Sequence, residues 1–260
     1  TELWQELKDS LFEPNGFEVS FGSSDGLAPI PIPNNKINAV LRGFIDRVDT
    51  WSFAGNTYYR VVDYKTGRKD FDYCDVFNGV GLQMLLYLFA LRDNSDSTMG
   101  TNLIPAGVQY FPARAPYISA DGRLTEEESE KERKSLWKRK GLLLNDEVVL
   151  KAMEPGDVPQ RMSYTVRKDG SLSGDLADRD QLKQLEAYIF QYLGKMVEDI
   201  ASGNVEANPY TRGSSHNACT YCPYGTICHE SEVGGRRNYQ AMKPQRFWEE
   251  IEKEAKHHGR

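Results

Sequence analysis

The residues VVDYKTG, at positions 61 to 67, place two charged side chains at the end of an apolar run. Asp63 and Lys65 alternate with Tyr64, so in a strand both side chains point to one face of the sheet. Burial penalises these groups unless they are paired or bind a ligand. Two interpretations follow: an ion pair at a sheet edge, or a site that binds a metal ion and a phosphate.

A second acidic motif, GFIDRVD, precedes this run and carries Asp46 and Asp49. If the two runs pair as a hairpin, Asp46 and Asp63 lie near each other at corresponding ends of adjacent strands. Two converging carboxylates repel unless a cation lies between them, and hard oxygen ligands suit Mg²⁺. Lys65 beside that metal would position or activate the attacking water and stabilise charge that develops on the phosphate.

The apolar segment after the VVDYKTG motif contains a possible third contribution to this site. Gln83 and Tyr87 stand four positions apart, so they share one face of a helix. The amide of Gln83 could hydrogen-bond the catalytic group or DNA. The alternative is a core amide whose hydrogen bonds are satisfied internally.

Three of the four cysteines form a C-x2-C-x5-C motif in the segment CTYCPYGTICHE. With this spacing, the thiolates of Cys219, Cys222 and Cys228 can converge on one metal centre. The spacing leaves open an iron–sulfur cluster or a zinc ion with His216 or His229 as fourth ligand. The fourth cysteine, Cys74, is predicted to be an ordinary buried residue.

The composition limits the class of protein. A net charge of −6 over 260 residues argues against a generic nucleic-acid coat protein, but it does not exclude a nuclease, whose metal-binding carboxylates contribute negative charge. Four cysteines are too few for a secreted disulfide scaffold, so we expect a reducing cytoplasm. No apolar run approaches the roughly 18 to 20 residues of a membrane helix. The chain starts without methionine, and we expect it to be a fragment of a longer protein.

Periodicity and turn residues predict the elements that position these motifs. Strands are predicted for FEVSFG, for the two runs of a hairpin around AGN, and for LIPAGVQYFPAR. Helices are predicted for residues 1 to 12, from Val76 to Arg92, and for a second long segment that ends at Gly203. Residues 22 to 36 are predicted to be a loop, and the charged run TEEESEKERKSLWKRKG a solvated helix or flexible insertion.

This order of elements predicts an α/β fold, a mixed sheet flanked by helices with a C-terminal cysteine-rich metal-binding segment. We expect one domain over residues 1–235, which includes the cysteine segment 216–230. Residues 236–260 are polar and are predicted to form a C-terminal tail.

Taken together, GFIDRVD, VVDYKTG, GLQMLLY and CTYCPYGTIC resemble the nuclease domain of the PD-(D/E)XK superfamily in its RecB-like branch. The likeness is strongest to the C-terminal domains of the AddB (RexB) family, subunits of bacterial ATP-dependent helicase-nucleases. It runs from about Glu18 to about Glu230. Each motif alone is weak, whereas their order and spacing together are specific.

The resemblance implies a restriction-endonuclease-like fold and a set of site residues. Asp46, Asp63 and the backbone carbonyl of Tyr64 would bind Mg²⁺ or Mn²⁺, and Lys65 would be the catalytic lysine. The catalytic helix motif would comprise Gln83 and Tyr87, with Asp49 a structural acid and Glu18 an extra candidate. RecB-like nucleases tend to carry a histidine before the first acid, and none precedes Asp46 here.

The cysteine trio of such relatives holds a 4Fe-4S cluster, with a fourth cysteine far upstream. Cys74 does not match that position, so the fourth ligand would lie before Thr1, and the cluster could be absent from this fragment. The resemblance further implies a Mg-dependent DNA exonuclease that acts in double-strand break repair and recombination with an AddA-type subunit. A catalytically silent scaffold that binds DNA or a partner, and a stand-alone Cas4-like exonuclease, are the alternatives.

Overall fold

The central β-hairpin lies in the first of two compact units. The computed structural model describes residues 2–24, 26–34, 36–94, 99–114, 117–118, 120, 122–213, 216–228 and 235–258. The first unit comprises Thr1–Pro31, Val40–Phe71 and Leu82–Glu186, and the second comprises Ile32–Ala39, Asp72–Gly81 and Ala187–Arg260.

The helices and strands of the first unit are as follows. Its strands are β1 (Glu13–Phe21), β2 (Ile30–Pro31), β3 (Val40–Leu41), β4 (Gly43–Phe53), β5 (Asn56–Lys65), β6 (Leu103–Pro112), β7 (Leu143–Leu144), β8 (Tyr164–Val166), β9 (Leu172–Gly174) and β10 (Leu176–Ala177). Its helices are α1 (Glu2–Asp9), α3 (Gln83–Asn94), α4 (Glu126–Leu136), α5 (Glu147–Met153) and the start of α6 (Arg179–Ala201).

The second unit contains the end of α6 and several short elements. These are α2 (Tyr73–Phe77), β11 (Tyr210–Arg212), β12 (His216–Asn217), α7 (Gly225–Cys228), β13 (Arg237–Asn238) and α8 (Pro244–His258). None of the helices in the described part of the chain has the length and apolar character needed to cross a membrane.

A mixed six-stranded sheet forms the middle of the first unit, in the order β1-β4-β5-β6-β7-β10. β5 pairs antiparallel with β4 and parallel with β6. Seven consecutive residues of β5 are buried, so both of its faces are covered. On one face, the hydroxyl of Tyr59 donates to the backbone oxygen of Leu88 in α3 at 2.8 Å. The predicted fold class, a mixed sheet flanked by helices, is confirmed.

The turn between β4 and β5 shows why the hairpin was predictable. β4 ends at Phe53 and β5 begins at Asn56, which leaves Ala54 and Gly55 as a two-residue turn. Both turn residues have positive φ, at 50° and 77°. A two-residue turn with positive φ at both positions matches the right-handed twist of the strands it joins.

The continuous helix predicted from Val76 to Arg92 is wrong. The segment contains two helices, α2 and α3, because Gly79 and Gly81 adopt positive φ values of 78° and 69° between them. This left-handed conformation interrupts a helix, and glycine adopts it at little cost. Residues 22 to 36, predicted to be a loop, contain the short strand β2.

Two further segments are more ordered than their polar sequences indicate. The charged run forms α4, which starts with a capping box between Thr125 and Glu128 and buries none of its residues, as a solvated helix does. The predicted tail contains α8, in which Phe247 and Ile251 are fully buried. The ring of Phe247 packs edge-on against Tyr73 of α2, with centroids 5.0 Å apart. The division into residues 1–235 and 236–260 remains a prediction.

Five buried charges lie behind the hairpin, and we call them the ion cluster: Glu6, Arg47, Asp49, Arg60 and Arg139. Each is at most 1% exposed. Glu6 contacts all three arginines, at 3.4 Å to Arg47, 3.1 Å to Arg60 and 2.9 Å to Arg139. Asp49 contacts Arg47 and Arg60, each at 2.8 Å. Asp49 therefore has the structural role that the family resemblance implies.

The ion cluster contains three arginines and two carboxylates, so it has one positive charge in excess. Aromatic rings lie beside guanidinium groups of this cluster. The guanidinium of Arg139 lies 4.2 Å from the ring centroid of Phe111, and that of Arg60 lies 5.2 Å from Phe12. The negative faces of these rings attract cations most strongly where water is excluded.

Replacement of Glu6 by Gln is expected to destabilise the fold strongly. Removal of one partner from a buried ion pair leaves uncompensated charge, which typically costs about 3–5 kcal/mol of unfolding free energy. Urea denaturation of the two proteins measures this difference. Glu147→Gln is the matched control, because Glu147 is exposed and pairs with Lys151 on the surface of α5. Equal losses in both variants would contradict a dominant role for the cluster.

The same variant has a defined pH dependence. Burial of Glu6 favours its neutral form, but Arg60, Arg139 and Arg47 outweigh burial and lower its pKa from the ordinary 4.5. A lowered carboxyl pKa contributes stability above the unfolded value and loses it as the pH falls through the folded value. The stability difference between parent and Glu6→Gln should be constant above pH 4.5 and shrink below it.

Candidate active site

The open end of the hairpin brings the predicted acids together. The β4–β5 ladder extends only to the pair Arg47 and Val62. Beyond this pair, Oδ2 of Asp46 accepts the backbone N–H of Tyr64 at 2.9 Å. A side-chain carboxylate therefore replaces the next backbone contact, and Asp46 lies beside the segment of β5 that carries Asp63, Tyr64 and Lys65.

Lys65 is the cationic partner of Asp63. Its Nζ lies 2.6 Å from Asp63 Oδ2, with the lysine side chain 36% exposed and the aspartate side chain 8% exposed. Oδ2 is buried, and the ammonium of Lys65 is the cation that compensates its charge. The two interpretations of Asp63 and Lys65 are therefore compatible: the side chains form an ion pair, and the same pair can belong to a metal site.

The electrostatics of Asp63 favour an additional cation. Burial raises the pKa of Asp63 above its ordinary 3.8, and the negative charge of Asp46 raises it further. The hydrogen bond and charge of Lys65 act in the opposite direction without cancelling the increase. Two carboxylates held close enough to repel each other are a suitable pair of ligands for a divalent metal ion.

Sequence reasoning missed Tyr110 as a member of this site. The parallel pairing of β5 with β6 places Tyr110 beside Asp63. Burial and the charge of Asp63 together raise the pKa of Tyr110 to about 12, so its phenol is neutral near physiological pH. The sequence predicts the strand but carries no signal for its register, because parallel partners are joined by a long crossover.

The predicted helix motif is intact in α3. Nε2 of Gln83 donates to the hydroxyl of Tyr87 at 2.8 Å, as two residues four positions apart on a helix can. The ring of Tyr87 packs edge-on against Phe21, with centroids 5.2 Å apart. A Cβ atom at Gly43, the first residue of β4, would come within 2.8 Å of the Tyr87 hydroxyl. Among the described residues, no hydrogen bond joins this pair to Asp46, Asp63 or Lys65.

A cleft elsewhere in the first unit does not include these residues. It has a volume of about 170 Å³ and is lined by parts of α3, β6 and α6, including Phe89, Leu103 and Leu182. It adjoins the start of β6, whereas Tyr110 and the acids are near the other end of the parallel pair. The chemistry of the carboxylates, and not the shape of a cavity, defines the candidate site.

The cysteine motif lies in the second unit, on a turn and a short helix. Cys219 is half-buried, Cys222 and Cys228 are exposed, and all three are free thiols. The N–H of Cys222 donates to the oxygen of Cys219 at 3.2 Å, which closes a tight turn. Across the described ranges, no three His, Cys, Asp or Glu side chains meet as a metal site. The predicted metal-binding segment is therefore not confirmed.

Two other residues bear on the cysteine prediction. Cys74 is buried, as predicted, and its thiol donates to the backbone oxygen of Gln240 at 3.0 Å. His216 lies in β12, paired with Arg212 of β11. His229, the other histidine considered for zinc, lies outside the described residues.

Comparison with known proteins identifies the family. Residues 1–229 match the family model of the PD-(D/E)XK nuclease superfamily. The chain belongs to this superfamily. The match includes both strands of the hairpin, the helix α3 and the cysteine motif.

Curated relatives share about a third of their aligned residues with the chain. An ATP-dependent helicase/deoxyribonuclease subunit from Oceanobacillus iheyensis is 36% identical over 247 residues, which cover 92% of this chain and 21% of that protein. Subunits of the same name from Acetivibrio thermocellus and Clostridium novyi are 38% and 36% identical and cover 86% and 96% of this chain. The chain spans about a fifth of the length of these relatives.

The site residues suit the divalent metal ion that PD-(D/E)XK nucleases generally use. The predicted donors, Asp46, Asp63 and the carbonyl of Tyr64, are all hard oxygens, as Mg²⁺ prefers. The buried Oδ2 of Asp63 and the raised pKa of this carboxyl are both features that a bound cation would relieve. We therefore find that these residues fit the metal.

Asp63→Asn is expected to stabilise the metal-free protein and to abolish function. The neutral amide removes a charge that burial and Asp46 both disfavour, so the Tm measured in EDTA should rise. Nuclease activity should fall at least about 100-fold. Mutation of a residue that only hydrogen-bonds to a metal ligand typically lowers metal affinity or activity about 10- to 100-fold, and Asp63 is predicted to be a ligand itself.

Asp70→Asn is the control for this comparison. Asp70 is an exposed carboxylate five residues after Lys65, in an ion pair with Arg68 at 3.1 Å. Its replacement should neither raise the Tm nor reduce activity. A lower Tm for Asp63→Asn than for Asp70→Asn would show that Asp46 and Asp63 do not repel each other in the folded protein.

Proposed function

We propose that this chain is a metal-dependent deoxyribonuclease domain that hydrolyses DNA phosphodiester bonds within a helicase-nuclease complex. The observation that carries the proposal is the convergence of Asp46, Asp63 and Lys65 at the open end of the hairpin. A hydrogen bond from Tyr64 fixes Asp46, and an ion pair fixes Lys65 against Asp63. This combination of charges suits a metal ion and a phosphate.

Each residue of the proposed site has a distinct role. Asp46, Asp63 and the carbonyl of Tyr64 would hold Mg²⁺ or Mn²⁺, which when bound activates water and offsets phosphate charge. Lys65, whose ammonium is part-exposed beside Asp63, stabilises negative charge that develops on the scissile phosphate. Gln83 and Tyr87 present a polar pair at the start of α3, and the exposed Gln83 amide can contact the DNA strand.

The substrate and partner are inferred from the relatives. These relatives are named as subunits of an ATP-dependent helicase/deoxyribonuclease, so we propose DNA as the substrate, an AddA-type subunit as the partner, and exonuclease action in double-strand break repair and recombination. Sequence specificity should be low, because the motifs include no module that reads base edges. The small number of cysteines, four in 260 residues, supports a cytoplasmic location.

Nuclease assays on linear single-stranded DNA with Mg²⁺ or Mn²⁺ test the proposal. We expect metal-dependent cutting by the parent, at least about 100-fold less cutting by Asp63→Ala, and about 10²- to 10³-fold less by Lys65→Ala. Asp70→Ala should retain the parental rate, because this exposed residue lies outside the proposed site.

Two results would contradict the proposal. Asp63→Ala that cuts as fast as the parent would show that the site assignment is wrong. DNA binding without cutting, by the folded parent and by the full-length subunit with its partner, would favour the scaffold function. The full-length assay also separates an inactive domain from one that needs the rest of its protein.

We further propose that Cys219, Cys222 and Cys228 ligate a 4Fe-4S cluster, with the fourth ligand supplied from elsewhere in the full-length protein. The observation that supports this is three free thiols within ten residues of a turn and a short helix. Anaerobic reconstitution of the full-length protein with ferrous iron and sulfide should give a visible iron–sulfur absorption band. Zinc is the alternative metal.

Cysteine substitutions distinguish a specific centre from adventitious binding. Cys228→Ser should abolish the absorption band, and Cys74→Ser should leave it unchanged, because Cys74 is buried against Gln240. Stoichiometric zinc with no iron–sulfur band would contradict the cluster, and loss of the band in Cys74→Ser would add Cys74 to its ligands.

A further inference from the structure

Tyr64 connects the front and the back of the candidate site. Its backbone N–H donates to Asp46 on the site face, at 2.9 Å. Its side chain points to the other face, since it alternates with Asp63 and Lys65 along β5. There the hydroxyl accepts a hydrogen bond from Nη1 of Arg47 at 2.7 Å.

The ring of Tyr64 is fixed by its neighbours as well. It packs edge-on against Phe111 of β6, with centroids 5.3 Å apart. The guanidinium of Arg47 lies 5.6 Å from its centroid. The hydrogen bond of the hydroxyl and the two ring contacts leave the side chain little freedom to rotate. The position of Tyr64 therefore depends on the position of Arg47.

Arg47 is held rigidly by the ion cluster. It is fully buried, its Nε lies 2.8 Å from Asp49, and its Nη2 lies 3.4 Å from Glu6. Burial alone would lower the pKa of Arg47, but Asp49, Tyr64 and Glu6 together outweigh it, so the net pKa is raised and the guanidinium stays charged. Its planar fork distributes hydrogen bonds among three partners on different parts of the chain.

The bond between Arg47 and Tyr64 spans the strands where the backbone ladder has ended. Arg47 belongs to the last β4–β5 pair, next to Asp46, and Tyr64 lies between Asp63 and Lys65. The spacing of the two acids is therefore set by side chains: the Tyr64 amide to Asp46 in front, and Arg47 to the Tyr64 hydroxyl behind. Hydrogen bonds that orient the residues around a metal ion commonly tune the affinity of the site.

We infer that Arg47 and Tyr64 act as a brace that positions Asp46, Asp63 and the Tyr64 carbonyl and so sets the metal affinity of the site. The inference rests on the proposed nuclease function and extends it to two side chains that face away from the substrate. Both are positioning residues. The brace makes the ion cluster part of the active site's support.

Tyr64→Phe tests the brace because it keeps the ring and removes only the hydroxyl. The dissociation constant for Mn²⁺, measured by titration calorimetry without DNA, should rise about 10- to 100-fold. The Mn²⁺ concentration that gives half-maximal DNA cutting should rise by the same factor, while kcat at saturating Mn²⁺ stays within about threefold of the parent.

Tyr59→Phe is the matched control. Tyr59 is another tyrosine of β5, fully buried where Tyr64 is half-buried, and its hydroxyl also makes a hydrogen bond, to the oxygen of Leu88. Its loss should lower the Tm about as much as Tyr64→Phe does, with no change in Mn²⁺ affinity. A purely structural role for Tyr64 would give the two variants the same Mn²⁺ affinity.

The outcomes separate the brace from the function on which it rests. If the parent binds Mn²⁺ and cuts DNA but Tyr64→Phe binds Mn²⁺ equally well, the brace is overturned and the nuclease stands. If the parent binds Mn²⁺ without cutting, the affinity comparison still decides the brace. A parent that binds no Mn²⁺ overturns both.

Discussion

The pairing of buried charges behind the hairpin is the constraint on which the rest of the first unit depends. Three arginines from β4, β5 and the segment before β7 meet two carboxylates, all at most 1% exposed. Burial of this much charge is tolerable only because every guanidinium has a carboxylate or an aromatic face beside it. The cluster fixes α1 and the strands to one another in one arrangement, since the directions of ion pairs are far more specific than those of apolar contacts.

The two faces of the hairpin have opposite energetic character. On the back, opposite charges are matched and stabilise the fold. On the front, Asp46 and Asp63 raise each other's free energy, and Lys65 compensates only in part. Sites that bind ligands commonly retain such local instability because relieving it would remove their function. The rigid back makes the strained front possible, because residues that repel each other stay in place only where the surrounding structure holds them.

The sequence indicates the front of the hairpin far better than the back. Alternation in VVDYKTG and the turn at Ala54 and Gly55 are local signals, and they place Asp46, Asp63 and Lys65 correctly with respect to one another. The sequence does not predict the break between α2 and α3, because the apolar run shows that glycines are present but not that they adopt the left-handed conformation. Tyr110 was missed because its partner in β5 lies far along the chain, across a parallel pairing with no local signature. From the sequence, the three arginines of the ion cluster would be expected at the surface, as most arginines are. Their burial depends on partners that are distant in the chain, which the sequence does not identify.

The contacts of Glu6 join residues that are far apart in the sequence, and this separation affects how the chain folds. Glu6 is 133 residues away from Arg139 and 54 away from Arg60, although it touches both. Contacts between such distant residues require large loops to close, which slows folding. During synthesis, α1 and the hairpin leave the ribosome well before Arg139, so for that interval Oε2 of Glu6 lacks the guanidinium that it contacts in the folded chain. Water must solvate this oxygen until residue 139 is present, so the final exclusion of water from the interior behind the hairpin is a late step in folding of the nascent chain.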